Sequence, residues 1–398
     1  MLTQRKRYWA EVDLDAICHN FEQVKAKVNK DTKICCVVKA NAYGHGAVCL
    51  APLYENLGAD FFAVSNIEEA LQLRENGIRK PILILGYTPA DCVDLLAKHN
   101  ISQSVFSDEY AEKLAFCAEE KKVKIKIHIK LDTGMGRIGF DAKHDSCSEA
   151  ILKICQKPVF DPEGIFTHFA LADGGKGGVS YTGMQYDNFM RTVNELERAG
   201  VKFAIRHCAN SATIADFPEY QLDMVRAGIV LYGLQPSEEV QNPLDLKETL
   251  CLKAVISQIK ILKKGDSVSY GCTFTADRDM KIATVPAGYA DGYWRSNSKN
   301  GAYLLVNGHR APIVGRVCMD QLMVDVSEIE TIRVGDVVTV MGTEGVEKID
   351  AEALARLNHT IGYEILCAVG ERVPRIYKKG QEIVAVKDSI VSAGLITE

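Results

Sequence analysis

"KICCVVKANAYGHGA", residues 33–47, is an apolar run that stops at a lysine and passes at once into small residues and glycines. A short apolar run bounded by turn-forming residues reads as a strand buried on both faces, and Lys39 stands where that strand gives way to a loop. Seven more runs of this kind follow: "FFAVS" (61–65), "PILIL" (81–85), "SQSVF" (102–106), "VKIKIHIKL" (123–131), "EGIFTH" (163–168), "FAIRHCA" (203–209) and "VRAGIVLY" (225–232). Between them, stretches such as "DCVDLLAKHN" and "MQYDNFMRTVNELERAG" repeat apolar residues every three or four positions and end near Asn or Gly, as amphipathic helices do. Eight strands alternating with helices predict an α/β fold, a (β/α)8 barrel of the TIM type over residues 1–240.

Past "GLQPSEEVQNPLDL" the rhythm changes. "LKAVISQIKIL", "KIATVPAGYADG", "AYLLVNGHRAPIVGRV", "LMVDVS" and "GDVVTVMG" are strand-like and separated by turn residues, so residues 241–398 are expected to form a mostly β domain. One helix, "DAEALARLN" (350–358), interrupts it, "EIVAV" adds a late strand, and about ten N-terminal residues are expected to pack with this domain.

The chain has 398 residues, 47% hydrophobic and 25% charged, enough for two folded domains. Its net charge of -5 leaves no basic field for nucleic acid or anionic lipid, which points to a small-molecule partner. The basic N-terminus is followed by no apolar signal region, and no 18-residue uncharged apolar stretch occurs, so a cytoplasmic protein that does not enter membranes is expected. Thirteen cysteines, an odd number with no CxxC, predict reduced and mostly buried thiols. Nine histidines with no HExxH and no paired Cys/His spacing predict no catalytic metal.

In such a barrel, functional groups sit where strands run into the following loops. Lys39 is there, among small residues that leave room for a bulky partner; taken alone it reads as a solvated lysine, but a lysine so placed could form a Schiff base once its pKa is lowered. "VKIKIHIKLD" alternates strictly, sending Lys126, His128, Lys130 and Asp132 to one face and Ile125, Ile127, Ile129 and Leu131 to the other. A basic face inside a barrel must be neutralised, for Lys130 either by a carboxylate such as Asp132 or by a covalent change such as carbamylation. "DTGMGRIGF" then brackets Arg137 with glycines, a loop suited to bringing a guanidinium against a carboxylate. His168, Asn210 and Ser211 lie at the ends of the next strands, and "VRAGIVLYG" carries Arg226, Gly228 and Ile229, with Ser211 and Gly228 forming a candidate phosphate cradle.

"VVKANAYGHGA", "HIKLDTGMGRIGF", "THFALAD", "ANSA", "MVRAGIVLYG", "VSYG", "GYADGYWR", "GRVCMDQLMVDV" and "RVPRIY", in this order, resemble the bacterial alanine racemases over nearly the whole chain. The resemblance implies pyridoxal 5'-phosphate on Lys39 and a homodimer with shared active sites. It implies that Tyr43, Ser211, Gly228, Ile229 and Tyr363 hold the phosphate, that Asn210 also binds the cofactor, that His168 lies near the ring, and that Arg226 meets the pyridine nitrogen. Arg137 would fix the substrate carboxylate, oriented by a carbamylated Lys130. From the neighbouring subunit would come Tyr270, with Met319 over the substrate, Tyr289 near the mouth, and Cys318 and Asp320 in the same motif as Met319.

Racemisation removes a Cα proton from one face and returns one to the other, so a base is needed on each side, here Lys39 and Tyr270. The implied role is interconversion of L- and D-alanine, supplying D-alanine for peptidoglycan. A serine or broader-specificity racemase is an alternative, since a methylene discriminates by only ~1–3 kcal/mol. A non-catalytic homeostasis protein that binds the same cofactor is another, disfavoured by the second domain, and a decarboxylase is disfavoured by Arg226. Two stretches depart from the family's habit: the glycine-rich loop expected at 173–180, "DGGKGGVS", and Gly362, where asparagine is common.

Overall fold

The structure, a computed structural model, describes residues 6–143, 147–389 and 395–396. The chain divides into two compact units: Cys18–Ala42 with Gly46–Lys247, and Met1–Ile17 with Tyr43–His45 and Glu248–Glu398.

The first unit contains the eight expected strands: β1 (Lys33–Val37), β2 (Phe61–Val64), β3 (Ile82–Ile84), β4 (Ile101–Val105), β5 (Ile125–Asp132), β6 (Phe160–Phe166), β7 (Ile205–His207) and β8 (Met224–Ala227). From β1 to β7 each strand pairs in parallel with the next, and β8 pairs in parallel with β1. Backbone bonds from Asp223 N to Arg206 O (3.1 Å) and from Arg226 N to Ala209 O (2.9 Å) join β7 to β8 and close the barrel. Every residue of β2, β3 and β4 is buried, as expected of strands covered by helices outside and side chains within. Caps place the helices: Asn66 accepts from Glu69 N, Ser107 from Tyr110 N and Asn210 from Thr213 N.

Two expectations for this unit need correction. The last run ends as a strand at Ala227, because the chain breaks from extended geometry at Gly228, and Ile229–Tyr232 form a tight helical turn. The glycine-rich stretch is a loop only as far as Gly174, since a 24-residue helix begins at Gly175. A Cβ on Gly178 would lie 2.0 Å from the carbonyl oxygen of Leu171, so that glycine serves close backbone packing rather than a loose loop.

The second unit is mostly β. Tyr8–Asp13 pairs antiparallel with Leu250–Val255 and parallel with Arg375–Lys379, at the middle of a sheet that continues through Val337–Glu344 and Tyr303–Val306. Asn307 and Gly308, both at positive φ, form the two-residue turn between Tyr303–Val306 and His309–Pro312. A smaller sheet of Gln258–Leu262, Met280–Val285 and Leu322–Asp325 encloses Leu262, Val268, Met280, Ile282, Val314 and Met323. The expected helix is Ala351–Leu357, capped by Asp350. A second, Gly362–Cys367, went unread because its six residues are too few to establish a period.

All thirteen cysteines are free thiols, but only Cys35, Cys36 and Cys208 are buried. The expectation of mostly buried thiols fails because many lie on amphipathic helices, whose apolar stripe leaves its edges partly open. No helix among the described residues is long and apolar enough to cross a membrane.

Candidate active site

Lys39 follows β1 after the single residue Val38, and the chain then does something its sequence does not announce. Ala40, Asn41, Ala42 and Tyr43 all have φ between 51° and 53°, a left-handed turn of four non-glycine residues. Such geometry costs roughly 1–2 kcal/mol per residue, so it persists only where the surroundings impose it. In the first unit, Glu69 accepts from Ala40 N (2.7 Å) and Ser65 N (2.7 Å), while Asn41 accepts from Ala47 N through its side chain (2.9 Å) and from Gly46 N through its carbonyl (2.8 Å). In the second unit, Arg375 donates to Gly44 O (3.0 Å), Tyr377 donates to His45 O (2.9 Å), and the His45 ring bonds to Tyr43 O (3.0 Å) and Thr249 Oγ1 (2.7 Å). The direction in which Lys39 leaves β1 is thus set by several side chains. Glu69 was missed from sequence, where it reads as one more helix-surface glutamate.

The strand ends of the barrel bring the other basic residues towards one imidazole. Enclosure holds His168 well below its ordinary pKa, and Arg226, Arg137, Lys130 and Lys39 all lower it further. Lys130 is almost fully buried, with its Nζ donating to Leu131 O (2.6 Å) and lying 5.6 Å from the centre of the Phe166 ring. Burial first, then Arg226 and Arg137 working against Asp132, lowers it to about 7. Asp132 does not pair with it. Burial pushes that carboxyl up, but the N–H groups of Gly136 and Gly134 outweigh this and hold it below the usual range. Lys126, predicted on the same face, forms an ion pair with Glu163 (3.1 Å).

Arg226 is buried, and burial brings it down to about 10, still a cation at neutral pH. Its Nη atoms bond to His207 Nδ1 (2.9 Å), His207 O (3.1 Å), Thr167 O (2.8 Å), Cys208 O (3.1 Å) and His168 Nδ1 (3.2 Å). Nε has no acceptor among the described residues, which leaves one fixed donor for a ligand. Ser211 Oγ accepts from Gly228 N (3.0 Å), joining the loops after β7 and β8, and Asn210 caps the short helix that starts at Ser211. Ile229 opens the turn that follows. A lysine at a strand end, a lone guanidinium donor and small polar groups on two joined loops suit a planar aldehyde with a ring nitrogen and a phosphate. Arg137 stands in the loop after β5 and is exposed.

The second unit holds the remaining candidates. Tyr43 is buried, which pushes its hydroxyl up, and its ring centre lies 6.2 Å from that of Tyr363. Tyr270 is no core tyrosine. It sits at the tip of the hairpin formed by Ser267–Val268 and Phe274–Thr275 and is 65% exposed. Ser269 before it has a φ of 68°, held by its hydroxyl donating to Arg316 O (2.7 Å). Tyr289 N donates to Cys318 O (3.1 Å) and Ala290 N to Met319 O (3.0 Å), so the loops carrying Tyr289, Cys318, Met319 and Asp320 are zipped together. Buried Asp291 accepts from Arg7 (2.7 Å) and Arg372 (2.8 Å), and Arg372 also holds Asp320 (2.6 Å). This brace was not read from sequence, where Asp291 was only part of "GYADG".

The family model "Alanine racemase, N-terminal domain" matches residues 12–236, and "Alanine racemase, C-terminal domain" matches residues 249–377. Alanine racemase 1 of Clostridium acetobutylicum is 45% identical over 383 residues, covering 96% of this chain and 98% of its own. Among solved structures, alanine racemase of Clostridium difficile 630 is 40% identical with a TM-score of 0.92, covering 97% of this chain and 99% of that one. Alanine racemase from Bacillus anthracis with bound L-Ala-P is 38% identical with a TM-score of 0.91, covering 97% and 98%.

Proposed function

This chain belongs to the alanine racemase family, and on that premise we propose that it interconverts L-alanine and D-alanine, with Lys39 and Tyr270 of a partner subunit as the two bases. What carries the reading is Arg226 at 3.2 Å from His168 Nδ1 at the strand ends of the barrel, together with the downward pull that Arg226, Arg137, Lys130 and Lys39 exert on that imidazole. Such a cluster suits an anionic ligand, and the carboxylate of an amino acid is one.

When bound, pyridoxal 5'-phosphate supplies the electron sink that makes the Cα–H of alanine acidic. Lys39 would hold its aldehyde carbon, and Arg226 Nε its pyridine nitrogen. Asn210, Ser211, Gly228 and Ile229 would hold its phosphate, and the resemblance adds Tyr43 and Tyr363. An arginine keeps its proton, so it donates to the pyridine nitrogen without protonating it, which favours return of the proton to Cα and limits transamination. Arg137 would orient the substrate carboxylate, supported by a carbamate on Lys130. Lys39 would move the proton on one face of Cα, and Tyr270 on the other. Met319, with Tyr363, would limit the side chain to a small one, Tyr289 would stand near the mouth, and the D-alanine made would serve peptidoglycan.

The test is deuterium uptake from solvent into each alanine enantiomer by the full-length protein. Tyr270→Phe is expected to lose uptake from one enantiomer while borohydride still fixes the cofactor on the Lys39 peptide. Uptake from both enantiomers at the unaltered rate would refute the assignment.

A further inference from the structure

A line of buried polar groups runs inside the barrel from Arg226 away from the strand ends. His207 Nδ1 is 2.9 Å from Arg226 Nη1, and its Nε2 is 2.9 Å from His128 Nδ1. His128 Nε2 is 3.1 Å from Glu163 Oε2, which also accepts from Ser102 Oγ (2.6 Å), while Glu163 Oε1 meets Lys126 (3.1 Å). Both imidazoles are wholly buried, and the His207 ring stacks on Phe166 with centres 4.7 Å apart and planes 4° apart. Gly164 makes the room, since a Cβ there would lie 2.4 Å from His128 Nδ1.

The chemistry of the two ends dictates every proton between them. A guanidinium can only donate, so His207 Nδ1 must be bare. The proton of neutral His207 then sits on Nε2 and is given to His128, whose Nδ1 is bare in turn. His128 therefore carries its proton on Nε2 and gives it to Glu163. Any other arrangement sets N–H against N–H, or leaves a buried nitrogen without a partner. Burial keeps both histidines neutral, the effect on His128 being opposed by Glu163, and Arg226 adds to it at His207. Glu163 stays ionised: burial pushes it up, but His128, Ser102 and Lys126 outweigh that and hold it at about 2. Among the described residues Arg226 itself bonds only to carbonyls and imidazoles, and Glu163 is the carboxylate in which its line of contacts ends.

We propose that Glu163 and His128 are positioning residues for Arg226: the carboxylate locks, through two imidazoles, the tautomer of His207 that accepts from the guanidinium and fixes its orientation. The role in racemisation rests on the function proposed above, but the lock is a property of the chain itself. It is tested by nitrogen NMR of the full-length protein labelled with 15N-histidine, with and without pyridoxal phosphate at neutral pH. In the unaltered protein, His128 and His207 are each expected as one neutral tautomer with the proton on Nε2. Glu163→Gln, whose amide oxygen still accepts, should keep both. Glu163→Leu should mix them and lower kcat roughly tenfold with KM little changed, because orientation rather than binding is lost.

A proton on His207 Nδ1 in the unaltered protein, or Glu163→Leu spectra identical to it, would overturn the proposal. If Glu163→Leu does not fold, the unaltered protein and the Gln variant still decide, because a changed His207 tautomer in Gln also counts against the lock. A correct tautomer in a protein that does not racemise alanine would fault the functional reading and leave the lock standing.

Discussion

Lys130 is a lysine whose surroundings oppose its charge. It lies buried near two arginines, and its pKa falls from 10.5 to about 7. Above 10.5 neither the folded nor the unfolded chain carries this proton. Between 10.5 and about 7 the unfolded chain binds a proton that the folded chain refuses, so stability falls as pH falls, by about 1.4 kcal/mol per unit, and levels off below. Near pH 8 the amine is therefore largely neutral, a nucleophile that carbon dioxide can convert into an anionic carbamate. A carbamate there would turn repulsion by Arg226 and Arg137 into attraction. Bicarbonate added to carbon-dioxide-free protein at about pH 8 is expected to raise the melting temperature by a few degrees, and Lys130→Ala to abolish the response. A melting scan in which both proteins respond alike would remove Lys130 as the acceptor. The charge problem on this strand was legible in sequence because a period of two sends alternate residues to one face. What was not legible is that Asp132 leaves Lys130 unpaired, since that depends on where the Gly134 and Gly136 N–H groups point.

Single strands and helices explain which parts of the fold could be read in advance. Strands such as Phe61–Val64 and Ile82–Ile84 announce themselves because a strand covered on both faces must be apolar throughout. The left-handed turn at 40–43 does not, since non-glycine residues such as asparagine enter that region singly rather than in a run of four, and contacts such as those of Glu69 and of Asn41 with Ala47 hold it. Glycines mislead in the same way, because a sequence does not say whether a glycine is there for a turn or for a close approach. The difference is testable with two alanine substitutions. A Cβ on Gly288 would lie 2.2 Å from the carbonyl oxygen of Met319, a backbone atom in the loop zipped to it, so Gly288→Ala must part the brace that carries Tyr289 and Met319. A loss on the order of 1–3 kcal/mol in stability is expected, with weaker racemisation. Gly183, inside the helix Gly175–Arg198, has only the Tyr220 hydroxyl within reach at 3.6 Å, so Gly183→Ala should stabilise by up to ~1 kcal/mol. Denaturant unfolding of the two variants checks both signs, and equal effects would mean that close packing at Gly288 is not what its brace requires.

For the whole molecule, the question is where the phenol of Tyr270 does its work. Tyr270, Met319 and Tyr289 are 65%, 53% and 41% exposed, yet the loops that carry them are tied by the hydrogen bonds of Ser269 to Arg316 O and of Arg372 to Asp291 and Asp320. Ordering the backbone of loops that present exposed, largely apolar side chains costs conformational freedom, which burial of those side chains against a second copy of the chain would offset. If each site takes Lys39 from one chain and Tyr270 from the other, then Lys39→Ala and Tyr270→Phe are each inactive but complementary. Random exchange makes half of the dimers hybrids, and each hybrid restores one site of its two, so a mixture is expected to recover about a quarter of the unaltered activity. The measurement is racemisation after mixing differently tagged variants, with hybrid formation verified by sequential purification on the two tags. Purified hybrids without activity would place Tyr270 and Lys39 in the same chain's site, and the exposed platform would then need another explanation.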